Sequence, residues 1–327
     1  MKSYFQNKVS TSGTTFWVVA LYAFLIWLLS DGLQQNRWLQ LGSLLLTSYL
    51  FIELNISNSL IRIRSRMVSS TFLVLYSAFP VLFGSPHSNF LFVCLTAFFL
   101  IIFSSYQSPQ AKGLYYLAFL LIGLCSMVDI KILFFVPFLW ILCATQLQSL
   151  SWQTWGTSVV GLLTPYWLFT PLLFRQDYRD LAIAHIDEIK HFSTFFDLSV
   201  LTFPQLMTLA LIISLSVVSI THLWQKAYED RIQTRQYYGF FVTLFLLASA
   251  FFIIQPALYQ LSLPIIIVCA SPIIAHFIAL TSSKATNLLF ITAVILLIVL
   301  TIISLFPPLS HWLFHQLNLS WNGLSVF

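Results

Sequence analysis

Long apolar runs, separated by short polar breaks along most of the chain, constrain the fold more than any other feature of this sequence. A helix needs about 20 apolar residues to cross a hydrocarbon core about 30 Å thick. Backbone groups in lipid must be hydrogen-bonded within the chain, so runs of this kind are typical of transmembrane helices. The composition agrees, because 59% of the 327 residues are hydrophobic and only 8% are charged. The sequence therefore predicts an all-α, polytopic membrane protein.

The breaks between the apolar runs predict a single integral membrane domain, residues 1–327, with about eleven spans. Polar, charged, glycine and proline residues that end helices fill these breaks. The predicted spans are 15–30, 39–57, 67–84, 89–103, 113–128, 131–147, 154–174, 203–223, 237–254, 261–280 and 287–305. Several are short for a bilayer, so the sequence leaves the number open by one or two.

The positive residues predict the orientation of the bundle. With eleven spans and a cytoplasmic N-terminus, ten of the 15 Lys and Arg residues face the cytoplasm. Positive residues favour that side, so we expect an N-in, C-out protein. Arg62, Arg64 and Arg66 lie together in one cytoplasmic break, where the simplest interpretation is a topology anchor. The alternative is a clamp for the phosphate of a lipid headgroup or a nucleotide.

The longest polar segment, residues 175–199, predicts an amphipathic helix on the outer membrane surface. The following apolar residues share one arc: Tyr178, Leu181, Ala182, Ile186, Ile189 and Phe192. His185 projects from this arc, where it could contact a headgroup phosphate or a neighbouring helix. The charged arc carries a stripe that suits either a divalent metal and acid–base work or a plain solvated face. That stripe consists of Asp177, Asp180, Asp187 and His191. The uncharged aromatic tail, residues 306–327, predicts an outer interfacial segment.

Two ionisable residues lie inside predicted spans, where charge is costly and often functional. Glu53 is near the cytoplasmic end of its span and could reach Arg62 or water. His276 lies mid-span and is expected to hydrogen-bond to another helix. Together, Glu53 and His276 would be the intramembrane polar groups of a transporter. His311 and His315 have the spacing of a two-histidine metal face, but no acidic residue lies near them.

Several functional motifs are missing from the sequence. There is no P-loop, GxGxxG, GxSxG or HExxH pattern, and no basic stripe on a polar surface. We therefore expect no cofactor, no bound metal and no nucleic-acid partner. The four cysteines all fall in apolar runs without ligand spacing and are expected to be small buried side chains.

The stretch from about residue 58 to 168 carries a resemblance to known families. Its segments are "NSLIRIRSRMVSSTFLVLYSAFPVL", "GLYYLAFLLIGLCSMVDIKILFFVPFLWILCA" and "WQTWGTSVVGLLTPYWLF". They resemble an uncharacterised multi-spanning inner-membrane family of Bacteroides-type bacteria, over roughly the first half of the chain. This resemblance implies an inner-membrane location and no established activity.

The same stretch is similar, more loosely, to the membrane module of C-type lipid-linked sugar transferases. The matching features are Arg66 to Ser69 opening the third span, Gly123 and Leu124 in the fifth span, and the polar turn Asp129–Lys131. The resemblance implies transfer to or from a polyprenyl- or lipid-linked substrate at the outer face.

In such a transferase an acid in the first outer loop acts on the acceptor. That loop is short here, "SDGLQQNRW", and its single acid is Asp31, which would be the catalytic base. Lys131, Arg175 and Arg179 would contact the phosphate of the substrate. His185 is a further candidate for substrate binding.

These observations leave three hypotheses open. The first is a non-catalytic envelope component, either a scaffold or a degenerate transferase-like fold. The second is a glycosyltransferase-like enzyme that acts on a polyprenyl- or lipid-linked substrate at the outer face. The third is a transporter or flippase. Membrane lipids are the expected partners, with a lipid-linked sugar or proteins of an envelope complex as further candidates.

Overall fold

The computed structural model describes residues 4–30, 32–63, 65–171, 176–192 and 194–306, with only the backbone at 176 and 177. Asp31, Arg64, Arg175 and the tail from 307 onward, including His311 and His315, lie outside the described residues. All regular structure within the described ranges is helical. The predicted all-α fold class is therefore confirmed.

Thirteen α-helices lie in the described ranges, and short turns or 3-10 helices connect many of them. They are α1 (Phe5–Thr11), α2 (Thr14–Leu29), α3 (Trp38–Asn58), α4 (Met67–Ser77), α5 (Pro86–Phe103), α6 (Lys112–Val128), α7 (Val136–Thr145), α8 (Trp152–Phe169), α9 (Gln176–Asp187), α10 (Phe203–Gln225), α11 (Ile232–Ile254), α12 (Tyr259–Leu280) and α13 (Lys284–Leu305).

Capping residues fix where several of these helices begin. The Ser85 hydroxyl accepts from the Ser88 N–H at the start of α5, and Pro86 follows as the first helical residue. Ser151, Thr202 and Ser283 form capping boxes before α8, α10 and α13. These signals are local, so the sequence places the helix starts well.

Six helical stretches in the described part are long and apolar enough to cross a membrane. They comprise α3, α5, α10, α11, α13 and the stretch Pro256–Leu280, which contains α12. Helices α1 and α2 meet at 90° and would add a seventh span if counted as one broken segment. Helices α4, α6 and α7 are apolar but shorter. A membrane-embedded helical bundle is supported, whereas the eleven spans, the orientation and the inner membrane stay predictions.

Helix α12 is the centre of the bundle. Within its apolar window 89% of the residues are buried, and it packs against α4, α5, α10 and α11. It contains Pro264 and Pro272, which a helix surrounded by other helices tolerates. The four cysteines are all buried and unpaired, as predicted: Cys94, Cys125, Cys143 and Cys269.

Hydrogen bonds gather the helix ends into two groups. In one group the Ser65 hydroxyl donates to the Ser10 carbonyl, and the Tyr238 hydroxyl donates to the Leu60 carbonyl. In the other, the Ser88 hydroxyl donates to the Gln260 carbonyl. We call the first the Arg62 end and the second, which includes the turn after α6, the Asp129 end. The predicted topology would place the Arg62 end in the cytoplasm.

The surface helix differs from its prediction in length. Helix α9 ends at Asp187, a 3-10 helix follows over Glu188–Lys190, and no α-helix continues to 199 in the described residues. The Asp197 carboxylate accepts from the Ser199 N–H, a local bond that competes with helix formation. Leu181 and Ile186, on the predicted apolar arc, are exposed. The described residues therefore leave that part of the arc free to face lipid.

Candidate functional site

A polar cavity of about 860 Å³ opens at the Arg62 end. Its wall comprises the bend between α1 and α2, the last turns of α3, the connection to α4, the first turn of α4 and the turn before α11. We call it the arginine cavity. Its charged lining residues are Arg62, Arg66, Glu229, Asp230 and Arg231. Its hydroxyl-bearing lining residues are Thr11, Ser12, Ser59, Ser65, Ser69 and Thr234.

The buried side chain of Asn55 shapes the connection between α3 and α4. Its amide nitrogen donates to the Ser65 carbonyl at 2.9 Å, and its amide oxygen accepts from the Ile61 N–H at 3.2 Å. Ser59, with φ 47°, ends α3 in the left-handed region. Asparagine suits this position because one side chain can donate to and accept from the backbone. These bonds hold the backbone that carries Arg62.

Arg62 is paired with the acids of the turn before α11. Its guanidinium lies 2.6 Å from the Glu229 carboxylate and 3.7 Å from that of Asp230. The Lys226 ammonium lies 2.8 Å from Glu229. Hydrogen bonds from Lys226 and then Arg62 lower the pKa of Glu229 to about 2. Glu229 therefore stays ionised and keeps the turn attached to Arg62 at any physiological pH.

Asp230 links this ion pair to the buried centre of the bundle. Its second carboxylate oxygen lies 3.0 Å from Nε2 of His276, which is buried on α12. The rings of Tyr238 and His222 lie 4.7 Å and 6.2 Å from the His276 ring. Nδ1 of His276 has no hydrogen-bond partner among the described residues. A single carboxylate thus joins an arginine at the cavity to an imidazole inside the bundle.

Arg66 and Arg231 differ from Arg62 because neither has an acidic partner within 4 Å in the described ranges. Both are exposed at the cavity wall. The Arg66 guanidinium lies 5.9 Å from the centre of the Phe16 ring, a cation–π contact. Since the two acids of the lining are engaged with Arg62, the cavity carries net positive charge. Such a surface suits an anion with several oxygens, above all a phosphate.

A second polar site lies at the Asp129 end. The Asp129 carboxylate accepts from the Lys131 N–H at 3.0 Å. Nε2 of His185, on α9, lies 2.9 Å from the Ser126 carbonyl oxygen, and the Tyr166 hydroxyl donates to the Ser126 hydroxyl at 2.8 Å. We call these five residues the Asp129 cluster. They attach the surface helix to the end of α6.

Burial raises the pKa of Asp129, because desolvation penalises the charged carboxylate. The nearby Glu188 carboxylate raises it further, whereas Lys131 and His185 oppose the rise. An acid with a raised pKa is better suited to exchanging protons near neutral pH than a solvated one. The Asp129 cluster is therefore the second candidate for chemistry.

The structure brings two of the five predicted site residues together. Lys131 and His185 both lie in the Asp129 cluster and both act on the Asp129 carboxylate. Arg179 is exposed on α9. Asp31 and Arg175 lie outside the described residues, so their proposed roles stay predictions.

The two intramembrane candidates do not have the predicted partners. The Ser57 hydroxyl donates to Glu53 at 3.0 Å, whereas Arg62 binds Glu229, so the suggested Glu53–Arg62 pairing is wrong. His276 bonds to Asp230 in a turn rather than to another helix. In both cases an acid of the turn before α11 is the partner. Glu229 and Asp230 pair with Arg62, and Asp230 also pairs with His276.

The metal-binding alternative for the stripe between residues 177 and 191 has no counterpart in the described ranges. They contain no group of three or more His, Cys, Asp and Glu side chains that could hold a metal ion. The side chain of Asp177 lies outside the described residues. His191 instead contacts the Asp187 carbonyl through Nδ1 at 2.9 Å.

Sequence reasoning missed Glu229, Asp230 and Arg231 as site residues. In the sequence they form part of an ordinary polar break between two spans. The ten acids of the chain include only two adjacent pairs, Asp187–Glu188 and Glu229–Asp230, and only the second lies in a break on the same predicted side as the arginine-rich one. This combination could have identified these residues from the sequence.

No family model, no curated protein and no solved structure matches the chain.

Proposed function

We propose that this chain is a multi-pass inner-membrane protein, N-in with about eleven membrane segments, that binds a phosphate-bearing lipid in the arginine cavity. It would serve the cell envelope as a lipid-binding component, with no reaction step assigned to the cavity. The observation that supports this proposal is the pair Arg66 and Arg231, which face the cavity without acidic partners in the described ranges.

Arginine chemistry favours a phosphate over other ligands. A guanidinium presents a planar set of donors that matches two phosphate oxygens at once. Hydroxyl groups such as those of Ser12 and Ser69 can donate to the remaining oxygens. On the predicted cytoplasmic side, each arginine near an anionic leaflet gains about 1 kcal/mol, which would draw the headgroup toward the cavity.

The test compares Arg66→Gln, Arg231→Gln and Arg235→Gln. Arg235 lies in the first turn of α11, four residues after the N-cap residue Arg231; it is exposed and does not line the cavity. Each cavity variant loses a charge-assisted hydrogen bond of about 2 kcal/mol, so we expect it to bind fluorescent phosphatidic acid more than tenfold more weakly. Binding is measured on purified protein in neutral detergent. Equal loss in all three variants, or in none, would refute the proposal.

A transferase-like activity at the outer face is a second candidate, favoured by the Asp129 cluster. Asp129 would act as a proton-transferring acid in place of, or together with, Asp31, while Lys131 and His185 would contact the substrate. The test is sugar transfer to or from a lipid-linked substrate in membranes carrying Asp129→Asn, Asp31→Asn or, as a control, Asp180→Asn. Activity retained in both of the first two variants would exclude these roles.

No cluster of side chains in the described ranges supports a transporter in the same way. Glu53 hydrogen-bonds to Ser57, while His276 pairs with Asp230. The two groups suggested for such a pathway therefore belong to different local networks.

A further inference from the structure

An apolar groove of about 590 Å³ lies beside the arginine cavity. Helices α1, α2, α4, α10, α12 and α13 supply its walls, and nearly all of its lining is apolar. Ser12, at the bend between α1 and α2, lines both the groove and the cavity. Lys8 adds a positive charge to the groove lining. The polar arginine cavity and the apolar groove are therefore adjacent at the bend between α1 and α2.

One side of α4 leads from the cavity into the groove. Arg66, Ser70 and Val74 are four residues apart, so they lie above one another on a helix, about 6 Å apart per step. Arg66 lines the cavity, whereas Ser70 and Val74 line the groove. Along this side the chemistry changes from a cation to a hydroxyl to a hydrocarbon. A phospholipid has the same order: phosphate, ester, acyl chain.

The hydroxyl of Thr71 gives a second, independent indication of a ligand. Thr71 lines the groove, is 6% exposed, and its hydroxyl has no hydrogen-bond partner among the described residues. The neighbouring Ser70 hydroxyl, by contrast, donates to the Arg66 carbonyl at 3.1 Å. Buried hydroxyl groups almost always have partners, because an unmade hydrogen bond is costly. Threonine occupies two χ1 rotamers in helices, and rotation about this bond would let the hydroxyl, which is buried as it stands, donate to an acceptor on a ligand in the groove.

We infer that the groove binds an acyl chain of an anionic glycerophospholipid whose phosphate occupies the arginine cavity. The phosphate contacts Arg66, the ester carbonyl accepts from the Thr71 hydroxyl, and the acyl chain lies against Val74 and Val294. The position of the phosphate rests on the proposed function. The lipid class is the new element, since a polyprenyl phosphate has no ester carbonyl for Thr71.

The first experiment locates the acyl chain. Purified protein is incubated with phosphatidic acid that carries a photoactivatable diazirine in its acyl chain, and the labelled peptides are identified by mass spectrometry. We expect labelling of α4 and α13. Val294→Trp fills the groove and should reduce this labelling about tenfold, whereas Val299→Trp, on the same helix but outside the groove lining, should not. Labelling that is equal in both variants would overturn the inference.

The second experiment tests the ester and avoids any risk that a bulky residue disturbs folding. Thr71→Val keeps the size of the side chain and removes its hydroxyl. We expect it to bind ester-linked phosphatidic acid about fivefold more weakly and to bind the ether-linked analogue unchanged. Wild-type protein that binds polyprenyl phosphate as tightly as the ester lipid would overturn the choice of lipid.

The variants distinguish a wrong phosphate site from a wrong acyl-chain groove. If Arg66→Gln weakens binding while Thr71→Val and Val294→Trp have no effect, the phosphate site stands and the groove inference is wrong. If none of the three has an effect, the proposed function itself is wrong.

Discussion

Among single residues, Asp230 has the most consequential position. It contacts Arg62 with one carboxylate oxygen and His276 with the other. Its side chain is only 6% exposed, so its charge is stabilised mainly by these two partners. The sequence identifies Arg62 and His276 as unusual but does not identify Asp230. Nothing local marks the residue, because its role depends on α3 and α12 meeting the turn before α11.

Asp129 yields a prediction about pH. Burial raises its pKa in the folded protein above the ordinary value of 3.8, so the ionised carboxylate weakens folding. Its contribution to stability is full below the unfolded pKa and is lost as pH rises through the folded pKa. We expect Asp129→Asn to unfold at a higher temperature than wild type at neutral pH and at the same temperature below pH about 4.

Thermal unfolding in detergent across this pH range measures the effect. The asparagine oxygen can still accept from the Lys131 N–H, so the local turn is preserved. The control is Asp180→Asn on the exposed side of α9, which should show no such pH dependence. A variant that is less stable than wild type at neutral pH would show that the charge of Asp129 is needed for folding.

Within the described ranges, α6 and α8 make the most extensive contact of any pair of helices. A Cβ atom at Gly123 would lie 2.6 Å from the Leu162 carbonyl oxygen, and one at Gly161 would collide with the Tyr116 carbonyl oxygen. Small residues let helix backbones approach closely in membranes, where packing rather than hydrophobic burial drives association. The contact holds the Asp129 cluster together, since Ser126 lies on α6 and Tyr166 on α8.

Two alanine substitutions in α8 should therefore have opposite effects. Gly161→Ala forces the helices apart and should destabilise the protein by about 1 to 3 kcal/mol. Gly156→Ala meets nothing within 4 Å and should stabilise it by up to about 1 kcal/mol, because alanine favours helix more than glycine does. The unfolding temperatures of both variants, compared with wild type, measure these effects. Similar shifts in the same direction would contradict the close packing.

The sequence predicts the helices better than their interruptions. Apolar runs place α5, α10 and α13 within about three residues of their observed limits, whereas α8 ends at Phe169 rather than at the predicted residue 174. The predicted span 67–84 is instead divided into α4 and a 3-10 helix that begins at Pro80. Proline disfavours a helical conformation in the residue before it, but an apolar run conceals this effect from a hydropathy argument.

For the molecule as a whole, the site is assembled from segments that are far apart in the chain. Arg62 and Glu229 are 167 residues apart, and Gln6 and Ile278 are 272 apart. Periodicity and charge counts report on neighbours in sequence, so they predict which breaks share a side but not which side chains meet. That is why the arginine-rich break could be identified and its acidic partners could not.

The predicted orientation of the bundle in the membrane can be tested with reporter fusions. Reporter fusions after residue 190 and after residue 230 should fall on opposite sides of the membrane, with 190 outside and 230 in the cytoplasm. An alkaline phosphatase fusion is active only when the enzyme is exported across the membrane. A green fluorescent protein fusion fluoresces only when it stays in the cytoplasm. If residue 190 proves cytoplasmic, the bundle is inverted and the arginine cavity faces outward.

The docking of α1 has a consequence for biosynthesis. The Gln6 side chain donates to the Ile278 carbonyl and the Thr281 hydroxyl, and its N–H donates to the Asn287 side chain. Helix α1 leaves the ribosome before α12 and α13, so it makes none of these contacts until both have been synthesised. Until α13 has been synthesised, the groove beside α1 is incomplete, and a chain stopped before α13 would expose it to the insertion machinery.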